Sequence, residues 1–190
     1  MQWNDEGYLL AKNNYDENSI IIETFTLEHG KCAGIVYGGS SRKQKKIFQA
    51  GNKILLDWKS KNENKSGYFK VELIKPVSPQ YFDDKRRSVC ILSATSILKI
   101  LLPERQINKK VYILFEKMLA QLGSNDWINI YINWELSLVK ELGYETNFNI
   151  KHDSTKNALI FNRNLLMENF IIPNRLKFPL FRNILEKYFI

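Results

Sequence analysis

The stretch VELIKPVSPQYFDDKRRSVC, residues 71–90, changes character halfway along its length. Val71 and Leu73 still belong to a short, β-rich run. Pro76 and Pro79 then end the pattern, because proline has no N–H to give a ladder and forces the residue before it into extended conformations. From Lys85 onward the apolar period is helical. Val89, Leu92, Thr95, Ser96 and Lys99 recur three or four apart, Ile91, Ala94, Leu98 and Leu101 form a neighbouring stripe, and Pro103 stops the element. A boundary near residue 80 therefore divides strands from helices.

Upstream, GYLLAK, SIIIETFT, KCAGIVYG, NKILLDWKS and YFKVELIK are short and rich in β-branched and aromatic residues. Turn-forming residues separate them at ENSI, EHGK, GGSS, AGNK and KNENKSG. Five strands at such spacing predict a small closed or nearly closed barrel, since closure removes exposed edges. Downstream, helices are predicted from Asn108 to Leu122, with Gly123 past the end, and from Asp126, a good cap residue, to Leu142. Residues 144–156 read as a polar loop. Helical character resumes over Leu159–Phe170, and Leu180–Phe189 forms a terminal helix after Pro173 and Pro179.

Of 190 residues, 44% are hydrophobic and 13% aromatic, enough to build a packed interior and to exclude wholesale disorder. The N-terminus, MQWNDEGYLLAKNN, carries acids where a signal peptide would be basic, and no apolar run approaches the roughly 20 residues of a membrane span. A cytoplasmic chain without a membrane partner is expected. Cys32 and Cys90 lack CxxC spacing and read as buried thiols.

Catalytic signals are sparse. His29 and His152 fall in turns without a second ligand at metal spacing, and no phosphate loop, nucleophile elbow or HExxH is present. Asp5, Glu6, Asp16 and Glu17 read as acids on the barrel rim, because no spacing forces them together. Neither an enzyme nor a cofactor is expected.

Charge is the stronger signal. The chain carries a formal +8, and the positive charge is segregated. Residues 1–41 hold two lysines against six acids, whereas residues 42–75 hold ten Lys or Arg against three. At the start of this basic region GGSSRKQKK brings Arg42, Lys43, Lys45 and Lys46 together after a glycine hinge. Such a block is either an idle solvated loop or a patch that displaces counterions from a nucleic acid backbone. With Lys53 and Lys59 it forms a candidate phosphate-binding set. Tyr37, Phe48, Trp58, Tyr68 and Phe69 are interleaved with the cations, as core residues or as platforms on which bases stack. In the helical part Lys85, Arg86 and Arg87 open the first helix, where positive charge opposes the macrodipole. Together with Lys99, Arg105, Lys109 and Lys110 they make a candidate surface for an acidic peptide with an apolar end.

The order of motifs adds a resemblance. WNDEGYLLAKNNYDENSIIIETFTLEHGKCAGIVYGG, then SSRKQKK, then FQAGNKILLDW resembles the start of the bacterial DNA repair protein RecO family. WELSLVKELGYETNF is similar to a helix in that family's second domain, and FIIPNRLKFPLFRNILEKYFI to its closing segment. The resemblance implies an α+β architecture in two parts: a five-stranded OB-like β-barrel over residues 1–80 and an all-α helical domain over residues 81–190. It also implies a mediator of recombinational repair that binds single- and double-stranded DNA and anneals complementary strands. Such a protein engages the C-terminal tail of single-strand binding protein and joins RecR to help load RecA. Carried over, the family's basic loop corresponds to Arg42, Lys43, Lys45 and Lys46, and the tail-binding surface to Lys85, Arg86, Lys99 and Arg105. Two departures stand out. Position 37, often basic in the family, is Tyr37, and the four-cysteine zinc module of many relatives is missing from a region shortened between Lys151 and Leu159. An RNA-binding barrel and a non-catalytic interaction scaffold are the alternatives.

Overall fold

The structure, a computed structural model, describes residues 1–41, 44–60, 67–144 and 154–189. Five strands come first: β1 (Gln2–Asn14), β2 (Ser19–Thr26), β3 (Gly30–Tyr37), β4 (Lys53–Lys59) and β5 (Gly67–Lys75). They close into a barrel in the order β1-β2-β3-β5-β4. All pairings are antiparallel except β3 with β5, which meet in parallel only at Gly34↔Gly67 and Ile35↔Tyr68. Gly67 is needed at this narrow seam, because a Cβ there would lie 1.9 Å from the Trp58 indole nitrogen.

β1 is longer than its sequence predicts. Its first half, around Trp3, Asn4 and Asp5, is too polar to read as a strand, yet it pairs with β4 from Gln2↔Lys59 to Tyr8↔Lys53. A bulge between Leu9 and Ala11 then adjusts the ladder to β2. The alternation of β1 serves two interiors. Leu9 points into the barrel with Ile20, Ile22, Val36, Ile54 and Leu56, while Tyr8 and Leu10 point outward with Phe25 into the core of the helices. The core thus runs across the change from strand to helix.

Among the described residues five α-helices follow: α1 (Lys85–Leu101), α2 (Lys109–Ala120), α3 (Trp127–Glu141), α4 (Thr155–Leu166) and α5 (Leu180–Lys187). Asp84, Asn108 and Ser154 cap the first, second and fourth by accepting the backbone N–H of Arg87, Val111 and Asn157. Asp126 precedes α3, but its carboxylate accepts the Asn129 side-chain amide instead. α4 starts four residues before the predicted Leu159, because the polar Ser154 is its cap rather than loop, and it runs on through a π turn to Ile171. Most of the loop predicted over 144–156 lies outside the described residues, as does His152.

The helices are joined by a buried ion pair. Arg182 of α5 is fully enclosed, donating to Glu135 of α3 through Nε at 2.6 Å and Nη2 at 3.2 Å, to Glu186 at 3.1 Å and to the Leu159 carbonyl at 2.8 Å. Glu135 also accepts Tyr131 Oη and Asn162 Nδ2. Two segments far apart in sequence, WEL and PLFRN, therefore meet at one charge. Cys32 and Cys90 are buried free thiols; burial pushes Cys32 up to about 11 and Cys90 well above its ordinary value, leaving little thiolate at neutral pH. Among the described residues no helix is long and apolar enough to cross a membrane.

Candidate nucleic-acid interface

The basic turn sits where β3 hands over to β4. Gly38, with φ at 70°, turns the chain out of β3, and a short 3-10 helix over Gln44–Lys46 leads to Phe48, whose ring is buried in the barrel. The QAGN segment then fastens the turn from below. Asn52 donates to the carbonyls of Ile47 at 3.0 Å and Lys46 at 3.3 Å, and its carbonyl oxygen accepts the N–H of Val77 at 2.9 Å and Ser78 at 3.2 Å. One buried amide thus holds the basic turn against the junction between β5 and α1. Gly51, with φ at 88°, lets the backbone pass α1, where a Cβ would meet Ile91 at 2.4 Å.

On this frame Lys45 and Lys46 are exposed, and no described carboxylate pairs with either ammonium. Lys12, on β1, belongs to the same patch, although nothing in its sequence neighbourhood marks it. Burial, followed by the positive charge of Lys45, lowers its pKa. The positive charges of Lys12 and Lys45 therefore repel one another. Arg42 and Lys43 lie outside the described residues.

The other expected contacts are dispersed. Lys53, expected from sequence to project into water and meet phosphate, instead lies between Glu6 at 2.8 Å and Glu116 of α2 at 2.9 Å. This is a joint between barrel and helices, which β4's alternation alone could not reveal. Lys59 stands about 20 Å along the same strand, exposed, with Asp57 3.6 Å away. Beside it Tyr68 stacks on Tyr37, ring centroids 5.0 Å apart, so both aromatics are exposed but cover each other. Phe48, Trp58 and Phe69 are core residues.

In the helical part the four expected cations do not converge. Lys85 and Arg86 begin α1 and Lys99 lies 14 residues on, about 21 Å away along the axis. Arg86 lies over the rings of Tyr188 and Phe189, each 5.8 Å away, and Lys99 is ion-paired to Glu23 of β2 at 2.7 Å. Arg105 follows α1 with φ at 58°, its N–H donating to the Lys31 carbonyl. Arg87 explains why positive charge opens the helix: it reaches Asp84 and donates to the carbonyls of Leu122 at 2.7 Å and Ser124 at 2.9 Å.

The acids also separate. Asp5 is buried and fixes the β2–β3 turn, accepting the N–H of Glu6 and Glu28 and lying 2.9 Å from Nδ1 of His29, whose ring stacks on Trp3. Asp16 instead closes the β1–β2 turn through the N–H groups of Asn18 and Ser19.

Two family models match consecutive parts of this architecture: the recombination protein O N-terminal model over residues 1–77, which contain the barrel, and the C-terminal model over residues 83–161. The chain belongs to the RecO family. Proteins named DNA repair protein RecO from Roseobacter denitrificans, Wolbachia pipientis and Cereibacter sphaeroides are 35%, 33% and 36% identical to it over 145, 147 and 145 residues. Each match covers 76% of this chain and 60% of the relative, so the chain spans less than two thirds of the length of these RecO proteins.

Proposed function

We propose that this RecO-family chain is a non-enzymatic DNA-binding mediator of recombinational repair that meets DNA through the rim of its barrel. The observation that carries this reading is the contrast in charge pairing. Lys53 and Lys99 are held by carboxylates, whereas Lys45 and Lys46 project from a braced turn with no described carboxylate beside them, next to Lys12. Repulsion between unneutralised cations is relieved by a polyanion, and release of its counterions drives binding without regard to base sequence. Arg42 and Lys43 extend the same chain segment. The same surface binds single- and double-stranded DNA and, by lowering repulsion between two complementary single strands, promotes their annealing. Engagement of RecR and of the tail of single-strand binding protein, and the loading of RecA, belong to the same reading. Lys85 and the ring-bound Arg86 are the cations on α1 left for such a partner, with Lys99 committed to Glu23.

The test is a variant with Arg42, Lys43, Lys45 and Lys46 all replaced by Ala, titrated with labelled single strands and duplexes at several salt concentrations. Affinity is expected to fall for every sequence, and the slope of log K against log salt to become shallower by about 0.9 for each duplex phosphate no longer neutralised. Unchanged affinity and slope would rule the rim out.

A further inference from the structure

Lys45, Lys46 and Gln49 of the basic turn line a groove of about 420 Å³ together with the apolar Leu73, Pro76, Pro79 and Phe82. Phe82 is 63% exposed. It follows the 3-10 turn Ser78–Tyr81 and directly precedes the segment capping α1, so its backbone is fixed at both ends while its ring remains in water. No described ring stacks on it. This differs from Tyr37 and Tyr68, which cover each other, and from Trp58 and Phe69, which fill the core.

We infer that this groove seats one unpaired base of a single strand, stacked on Phe82, with the flanking phosphates on Lys45 and Lys46. The inference rests on the proposed function and adds a preference to it. An exposed aromatic ring and the flat faces of two prolines favour a planar heterocycle, and two cations on one rim suit a backbone carrying a charge at every nucleotide. Within a duplex both faces of a base are already stacked, so the groove distinguishes single strands from double ones. The Asn52 amide sets the spacing, because it ties the lysine-bearing turn to residues 77 and 78, next to Pro76 and Pro79.

The experiment compares the parent, Phe82→Ala, Phe82→Trp and the double variant Lys45→Gln/Lys46→Gln. Each is titrated with a short labelled oligothymidine, the same strand carrying abasic positions, and a duplex of equal length. Phe82→Ala is expected to lose about tenfold in single-strand affinity, with duplex affinity, salt slope and melting temperature unchanged. Phe82→Trp should recover the loss, and the abasic strand should bind the parent and Phe82→Ala equally weakly. If Phe82→Ala binds the intact strand like the parent while the lysine variant does not, the base seat is wrong and the proposed function stands. If neither variant changes binding, both fail. If an acidic peptide with an apolar end loses affinity for Phe82→Ala while the strand does not, the groove takes a peptide and the inference is overturned.

Discussion

In the helical half, the Arg182 guanidinium is enclosed by Glu135, Glu186 and a backbone carbonyl, whereas at the barrel rim Lys45 and Lys46 stand in water with no described carboxylate beside them. The same sign of charge performs opposite work in the two places. Inside, it costs desolvation and is tolerated only because every partner is present. At the rim, it costs the fold little and remains available to something outside the molecule. Pairing, rather than abundance, therefore separates the cations that build this protein from those proposed to meet DNA.

The most severe way to challenge that division is Arg182→Met, which leaves Glu135 buried without its counter-charge. A loss of about 3–5 kcal/mol in unfolding free energy is expected from urea titration, and adding Glu135→Gln should recover part of it. A smaller effect is expected at the barrel–helix joint. Burial raises the Glu116 carboxyl's pKa, but hydrogen bonds from Lys53 and Tyr8 outweigh this and hold it below its ordinary 4.5. A depressed carboxyl stabilises the fold above its unfolded pKa and loses that contribution as pH falls through the folded value. Glu116→Gln should thus cost up to about 1 kcal/mol at pH 7, since the pair is partly exposed. Parent and variant melting curves should converge as pH is lowered below 4.5. Smallest of all, Lys45→Gln/Lys46→Gln should leave stability within about 0.5 kcal/mol of the parent. A larger loss would mean that the rim cations also hold the fold.

The element order was legible because prolines, glycines and a change of period mark it. α1 and α2 lie within two residues of their predicted limits, bounded by Asp84, Pro103 and Asn108. Where side chains at a strand's end are polar, as at Asn4 and Asp5, periodicity is silent and only pairing with β4 reveals the strand. The candidate site was legible as a charge block but not as a surface. Sequence separation could not show that Lys53 reaches Glu116, 63 residues away, or that Lys12 lies beside Lys45. Phe82 carried no signal at all, because an aromatic between a proline turn and a helix cap reads equally well as buried.

Tyr8, Leu10 and Phe25 leave the barrel wall and enter the core of the helices. A chain severed between the halves would strand this oily stripe in solvent, and α2 would lose the floor on which Tyr112 and Phe115 rest. Barrel and helices therefore share one interior, and each keeps the other's apolar face dry.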